Sequence, residues 1–228
     1  MTFDLRSAIF CPPSSALPNL DKEIALREQG FRFIAGLDEV GRGAWAGPVV
    51  AAAVMLPLDR PDLAVVLTGL DDSKKLRPNQ RERFFELVHE VALAVGVGLV
   101  SAERVDKLNV LEATRQAMQQ ALSTLKVLPD YLLLDHVRLP AVALPQDAFP
   151  KADRLSLTVA AASVVAKVTR DRLMVQYNGE YPGYAFDRHK GYGTAAHQVA
   201  LAELGPCPLH RMSYRPVAAC HQLIPCPG

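Results

Sequence analysis

The residues of this chain best suited to chemistry are acids delivered at the ends of apolar runs. Asp38 and Glu39 close the run Ile34-Ala35-Gly36-Leu37. Asp135 closes a second, Tyr131 to Leu134, and Asp153 follows Lys151-Ala152 ahead of a long alanine-rich stretch. A carboxylate taken out of water is costly unless it is paired or holds a metal. No histidine or cysteine is placed with these acids, so a shared ligand would be held by oxygen alone, which selects Mg²⁺ or Mn²⁺ over zinc. Several carboxylates exceed what one structural ion needs and suit a pair of ions acting on a phosphodiester. Taken by themselves, Asp38 and Glu39 would equally suit a solvated hairpin turn, because short motifs match by chance.

The elements that must position these acids follow from the hydrophobic pattern. Arg32 to Leu37 predicts a buried strand. Neighbouring strand residues face opposite ways, so Asp38 and Glu39 could share a ligand only if the strand ends or bulges there. Gly41-Arg42-Gly43 permits that bend, and its glycines let another backbone come close. Val49 to Met55 predicts a second strand, paired with the first as a hairpin. Asp21 to Gln29 reads as a short helix stopped by Gly30, and Pro57 to Leu70 as a loop. Pro78 to Val91 reads as a helix with Phe84, Leu87, Val88 and Val91 on one face. Ala92 to Val100 predicts a strand, and Ala102 to Lys126 one long helix capped by Ser101. Tyr131 to Leu134 and Ala141 to Leu144 read as strands. Leu155 to Tyr177 reads as a helix, and Gly193-Thr194 opens a final one to Leu204. Strands first, then strands alternating with helices, imply an α/β domain with a mixed sheet.

Three further stretches carry weaker signals. Ser163, Lys167 and Asp171 are spaced to share one helix face, which a snorkelling lysine on a half-buried helix would also explain. Asp71-Asp72-Ser73-Lys74-Lys75 is a charged turn and, alone, reads as a solvated loop. Tyr184 to Tyr192 mixes aromatic and basic residues, which suits a nucleic-acid surface or any exposed loop.

Composition narrows the class. The chain has 228 residues, 50% of them hydrophobic, enough for one large domain or one domain with an appendage. A formal net charge of +1 means that nucleic-acid binding must come from a local patch. Cys11, Cys207, Cys220 and Cys226 form no CxxC pair, so free thiols in a reducing cytosol are expected. Residues 1–16 read as a loose arm, and the first of them lack the pattern of a secretory signal. The run Val91 to Val100 is too short to span a bilayer. A soluble, cytoplasmic protein with no membrane partner is expected.

The motifs GLDEVGRG at 36–43, AGPVVAAAV at 46–54, DSKKL at 72–76, LLLD at 132–135, KAD at 151–153, AAASVVAKVTRDR at 160–172 and HKGYGT at 189–194 stand in one order along the chain. Together they make the sequence closely resemble bacterial ribonuclease HII, a type 2 ribonuclease H. The resemblance implies a ribonuclease H-like fold, a five-stranded mixed sheet flanked by helices, with a small C-terminal helical part. The domain would run over 31–217, after an arm and short helix at 1–30 and before a tail at 218–228. It implies an endoribonuclease that cleaves the RNA strand of RNA–DNA hybrids and nicks 5′ of ribonucleotides embedded in duplex DNA. Two Mg²⁺ or Mn²⁺ ions would assist, leaving 3′-hydroxyl and 5′-phosphate ends.

By the same resemblance the catalytic and metal-binding acids fall on Asp38, Glu39, Asp135 and Asp153. The contact to the ribonucleotide falls on Gly41, Arg42 and Gly43. A junction-sensing tyrosine falls on Tyr192, its ring on the following deoxyribose and its hydroxyl on the glycine-arginine-glycine turn. Ser73, Lys74, Ser163 and Lys167 are candidate contacts to backbone phosphates, and Asp171 is read as structural. His136 stands where the family usually has glycine, which puts the local turn in question. Neither a sliding-clamp motif in the tail nor the N-terminal substrate-binding domain of ribonuclease HIII is evident, and a monomer is expected. The alternative is a non-catalytic hybrid- or DNA-binding protein on the same fold; loss of one acid would mark it, and all four are present.

Overall fold

The apolar runs assemble around a central hairpin. Strands β1 (Ile34–Val40), β2 (Val49–Met55), β3 (Ala94–Val100), β4 (Tyr131–Asp135) and β5 (Gln146–Phe149) form one sheet in the order β3-β2-β1-β4-β5. The pairs β1–β2 and β2–β3 are antiparallel, while β1–β4 and β4–β5 are parallel. This computed structural model describes residues 17–223, with side chains to 220. The expected arm at 1–16, Cys11 and Cys226 lie outside the described residues. Cys207 and Cys220 are free thiols.

Helices cover both faces of the sheet, which is why β2 is buried along its whole length. On one face α4 (Ala102–Leu108) and α5 (Val110–Ser123) pack Val105, Ala113, Ala117 and Met118 against Ala35, Leu37, Ala51 and Ala53. On the other, α3 (Pro78–Val91) and α6 (Leu157–Glu180) pack Phe84, Val88, Ala161 and Val165 against Ala52 and Val54. The start of α6 lies so close to β1 that a Cβ on Gly36 would stand 2.5 Å from the Thr158 backbone. Around this body lie α1 (Asp21–Glu28), α2 (Leu63–Val66), α7 (Phe186–His189), α8 (Ala195–Leu204) and α9 (Arg215–Leu223). The mixed five-stranded sheet and its flanking helices are those expected from the sequence.

Four local expectations are corrected. β1 does not stop before Asp38 but runs through Val40, with Asp38 opposite Ala52 and Glu39 opposite Ala51. The stretch Pro57 to Leu70 contains the short helix α2. The single helix over Ala102 to Lys126 is two, because Asn109 adopts φ 71° and caps α5 by accepting from the N–H groups of Leu111 and Glu112. The last strand is Gln146–Phe149, not Ala141 to Leu144, and it pairs with Leu132 to Asp135. Among the described residues the last element is the helix α9, which runs across position 217.

Candidate active site

Three of the acids sit where neighbouring parallel strands end. Regular pairing through Val40 puts Asp38 on the α6 face, with Gly36, and Glu39 on the α5 face, with Leu37. They straddle the sheet end rather than share one side. Asp135 closes β4 beside β1, and its Oδ1 accepts the Ala152 N–H at 2.8 Å. That bond ties the strand end to the single 3₁₀ turn Ala152–Arg154, which carries Asp153. His136 has φ 59°, so it holds the left-handed turn that a glycine would take without strain. The turn in question is therefore kept.

Like charge accumulates on this rim. Burial, then repulsion from Glu39, Asp135 and Asp153, pushes Asp38 well above the usual carboxylate range, against a hydrogen bond from Ser163. Burial also raises Glu39, with Arg42 opposing at 3.2 Å. Asp153 is pushed up to about 7, first by burial and then by Asp72 and Asp135. Lys74 faces the same group: burial works against its charge, but Asp72, Asp38, Asp153 and Asp135 together raise it. Asp72, expected in a solvated loop, is a fifth carboxylate here. It is 1% exposed, accepts the Lys74 N–H at 2.9 Å and meets Arg154 at 3.2 Å. Its only signal was the Asp-Ser-Lys order, which favours a side-chain-capped turn.

Among the described residues no three acidic, histidine or cysteine side chains are drawn together closely enough to hold one metal ion as they stand. The donors nevertheless fit a hard divalent cation: they are all carboxylate oxygens, and Glu39 Oε2 is buried with no hydrogen-bond partner. The residues that would hold such ions are Asp38, Glu39, Asp135 and Asp153.

The other candidates divide into two groups. Ser73 and Ser163 are buried and hydrogen-bonded to each other at 2.9 Å, behind Asp38. Lys167 does not join the rim. It is paired with Asp171 at 2.6 Å and lines an open groove of about 610 Å³ with Arg81, Arg188 and Lys190, one helical turn from Ser163. Gly41, Arg42 and Gly43 form the turn after β1. Gly41 needs its φ of 92°. Gly43 has no positive φ, and a Cβ there would meet nothing within 4 Å.

Tyr192 is half-buried across from this turn, its ring 5.3 Å from the Arg170 guanidinium. The hydroxyl that reaches the turn is not Tyr192's but Tyr214's, which donates to the Arg42 carbonyl. Tyr214 lies beyond HKGYGT, in a segment with no pattern to single it out. Arg170 and Arg211 are both fully buried, and among the described residues they donate hydrogen bonds only to carbonyls and one tyrosine oxygen. Burial pulls Arg170 down to about 10, leaving it charged at neutral pH. Beneath the Tyr192 loop lies a chain of imidazoles. His197 Nδ1 is 3.0 Å from the Tyr192 carbonyl, and its Nε2 is 3.0 Å from His210 Nε2.

These features have relatives. The family model described as Ribonuclease HII matches residues 35–217. The ribonuclease HII of Geotalea uraniireducens is 51% identical over 198 residues, which are 87% of this chain and 89% of that protein. Among solved structures, the ribonuclease H2 of Pyrococcus horikoshii OT3 superposes with a TM-score of 0.70 at 25% identity, covering 84% of this chain and 98% of that one. The ribonuclease HII of Archaeoglobus fulgidus, solved in complex with PCNA, gives 0.68 at 27% identity, covering 80% and 95%. A match that spans the sheet, all four acids and the tyrosine loop, with half of the residues shared with a bacterial relative, leaves one assignment: the chain belongs to the ribonuclease HII family of ribonuclease H enzymes.

Proposed function

We propose that the protein cleaves the RNA strand of RNA–DNA hybrids and nicks 5′ of single ribonucleotides embedded in duplex DNA. The observation that carries this reading is the crowding of Asp38, Glu39 and Asp153, with Asp135 beside them, on one sheet end, each of the three raised by burial. Such a group is unfavourable for the fold by itself and becomes favourable when a divalent cation joins it. When bound there, Mg²⁺ or Mn²⁺ supplies a nucleophilic water and charge stabilisation at the leaving oxygen.

The chain's own residues supply position and recognition. Asp135 and Asp153 are held in register by the Ala152 N–H, so the third and fourth acids move together. Lys74, raised and facing the rim, is placed to meet a backbone phosphate. The groove of Lys167, Arg188 and Lys190 offers further phosphates a path away from the rim. Ser73 and Ser163 orient Asp38 rather than touch substrate, because both are buried. Distinguishing RNA from DNA requires contact with the 2′-hydroxyl. Gly43 supports the turn at Gly41–Gly43 as that contact: neither its backbone conformation nor its neighbours exclude a side chain, so the open space belongs to a ligand. The Tyr192 ring lies over the guanidinium that backs Gly41, which supports a packing contact to the sugar that follows.

The test is cleavage of a duplex carrying one ribonucleotide, with Mg²⁺, with Mn²⁺ and with excess chelator. Nicking on the 5′ side in either metal and none in chelator is expected. Full activity in chelator, or binding without cleavage in both metals, would remove this reading, the second outcome favouring a binding protein on the same fold.

A further inference from the structure

Among the described residues no carboxylate accepts a hydrogen bond from Arg170. It is 0% exposed on α6, and among the described residues its guanidinium donates to main-chain carbonyls alone. Nε donates to Pro48 at 2.8 Å, Nη2 to Ala46 at 3.1 Å and Nη1 to Lys190 at 2.9 Å. Ala46 and Pro48 belong to the loop that leaves the Gly41–Gly43 turn for β2. Lys190 belongs to the loop that carries Tyr192. The same guanidinium underlies the Tyr192 ring, and it backs Gly41 so closely that a Cβ there would stand 2.3 Å from Nε. The Gly191 carbonyl closes the seam by accepting from the N–H groups of Trp45 and Ala46 at 2.8 and 3.2 Å.

We infer that Arg170 is a positioning residue for ribonucleotide specificity, locking the Gly41–Gly43 turn and Tyr192 into one frame so that a 2′-hydroxyl and the sugar after it are read together. The inference rests on the roles proposed above for that turn and for Tyr192. Its chemistry is specific to arginine. A guanidinium forks in one plane toward three carbonyls in different directions, whereas a lysine ammonium concentrates its donors at one point. Apolar side chains would leave the carbonyls of Ala46, Pro48 and Lys190 buried and unpaired.

The experiment compares wild type, Arg170→Lys, Tyr192→Ala and the double variant on two duplexes, one with a single ribonucleotide and one with a run of ribonucleotides. Single-turnover rates are measured in Mg²⁺. Arg170→Lys is expected to lose about tenfold or more at the single ribonucleotide, roughly 1.4 kcal/mol or more, and clearly less within the run. Adding Tyr192→Ala to it should change little, because the tyrosine is already misplaced. Losses that multiply in the double variant, or equal losses on both duplexes, would overturn the inference. If Tyr192→Ala alone nicks like wild type, the tyrosine's role falls, and Arg170 is then judged by whether Arg170→Lys alone discriminates between the duplexes. Trp45, the chain's single tryptophan, reports the frame directly, since a Cβ on Gly193 would stand 2.2 Å from its ring. Its emission should shift in Arg170→Lys and not in Tyr192→Ala; an unshifted spectrum counts against the inference. Should the lysine variant fail to fold, Arg170→Gln, which keeps an amide donor, carries the same comparison.

Discussion

The carboxylate rim and the two loops beside it both concentrate like charge, and they meet that problem in opposite ways. At the rim, Asp38, Glu39 and Asp153 are raised by burial, one Glu39 oxygen is buried without a partner, and the facing cations are Lys74 and Arg42. In the loops, Arg170 and Arg211 are as deeply buried, yet their guanidiniums are met by the carbonyls of Arg42, Ala46, Gly47, Pro48 and Lys190. The rim is therefore strained until a ligand arrives, while the loops are satisfied before one does. A strained cluster suits binding and chemistry; a satisfied frame suits recognition, because nothing has to be ordered when the substrate docks.

The comparison breaks most visibly at Asp38. Asp38→Asn keeps the oxygen that accepts the Glu39 N–H and removes the charge. Loss of several kcal/mol of transition-state stabilisation would lower cleavage by on the order of a thousandfold. Binding to duplex should persist, since phosphate contacts supply most affinity. The metal-free variant should melt no lower than wild type, because one repelling charge is gone. A variant that cleaves normally, or one that melts far lower, would show that the rim is not the strained partner.

Metal removal asks the same question without mutation. Chelator should abolish cleavage, and Mg²⁺ or Mn²⁺ should restore it. Ions that bind only the folded chain also raise its melting temperature, by roughly 2–4 °C per kcal/mol for a domain of this size. That rise should be clear in wild type and weak in Asp38→Asn. An equal rise in both would place the ions elsewhere.

In the loops the expected losses are smaller. Tyr192→Ala should slow nicking at a single ribonucleotide by about ten- to a hundredfold, the value of a lost ring contact of roughly 1–3 kcal/mol. Tyr192→Phe should stay within about threefold of wild type, since the hydroxyl bonded to the turn is Tyr214's. Equal nicking by all three proteins would make Tyr192 an ordinary loop residue.

What could be read from the sequence follows the same division. The acids were legible because each ends an apolar run or a helix approach, a pattern that hydrophobicity exposes directly. Strands β1 to β4 and α3 were legible for the same reason. Asn109 hid a helix break, because a residue in a positive-φ cap looks like any polar residue inside a helical period. β5, Gln146–Phe149, is only partly buried and lacks the apolar run that marks a strand. The arginine frame was illegible for a deeper reason: Arg170 and Arg211 are satisfied by carbonyls 20 to 169 residues away, and backbone carbonyls carry no sequence signal.

The finest test uses the sign of pH dependence. Asp153 is raised to about 7 in the folded protein from the ordinary 3.8. The folded state then binds its proton first, so this group costs nothing at pH below 3.8, and its cost grows as pH rises through 7. His197 and His210 are lowered to about 4 from 6.5, in both cases first by burial. One consistent chain of protons explains why they stay neutral. The Cys207 N–H donates to His210 Nδ1, His210 Nε2–H donates to His197 Nε2, and His197 Nδ1–H donates to the Tyr192 carbonyl. An added proton would set two donors against each other. For these imidazoles the unfolded chain takes the proton first, so the stability they contribute is complete above 6.5 and is lost as pH falls toward 4. The rim and the floor of the tyrosine loop thus pull in opposite directions between about pH 4 and 6.5. In metal-free buffer, the stability of Asp153→Asn relative to wild type should rise with pH from 4 to 7. That of His197→Asn relative to wild type should fall over the same range, because the asparagine keeps an N–H toward the Tyr192 carbonyl but has no proton to refuse. Each fully linked group is worth at most about 1.4 kcal/mol per pH unit, so chemical unfolding at half-unit steps resolves it. Difference slopes of the same sign for the two variants would erase the distinction between a strained rim and a satisfied frame.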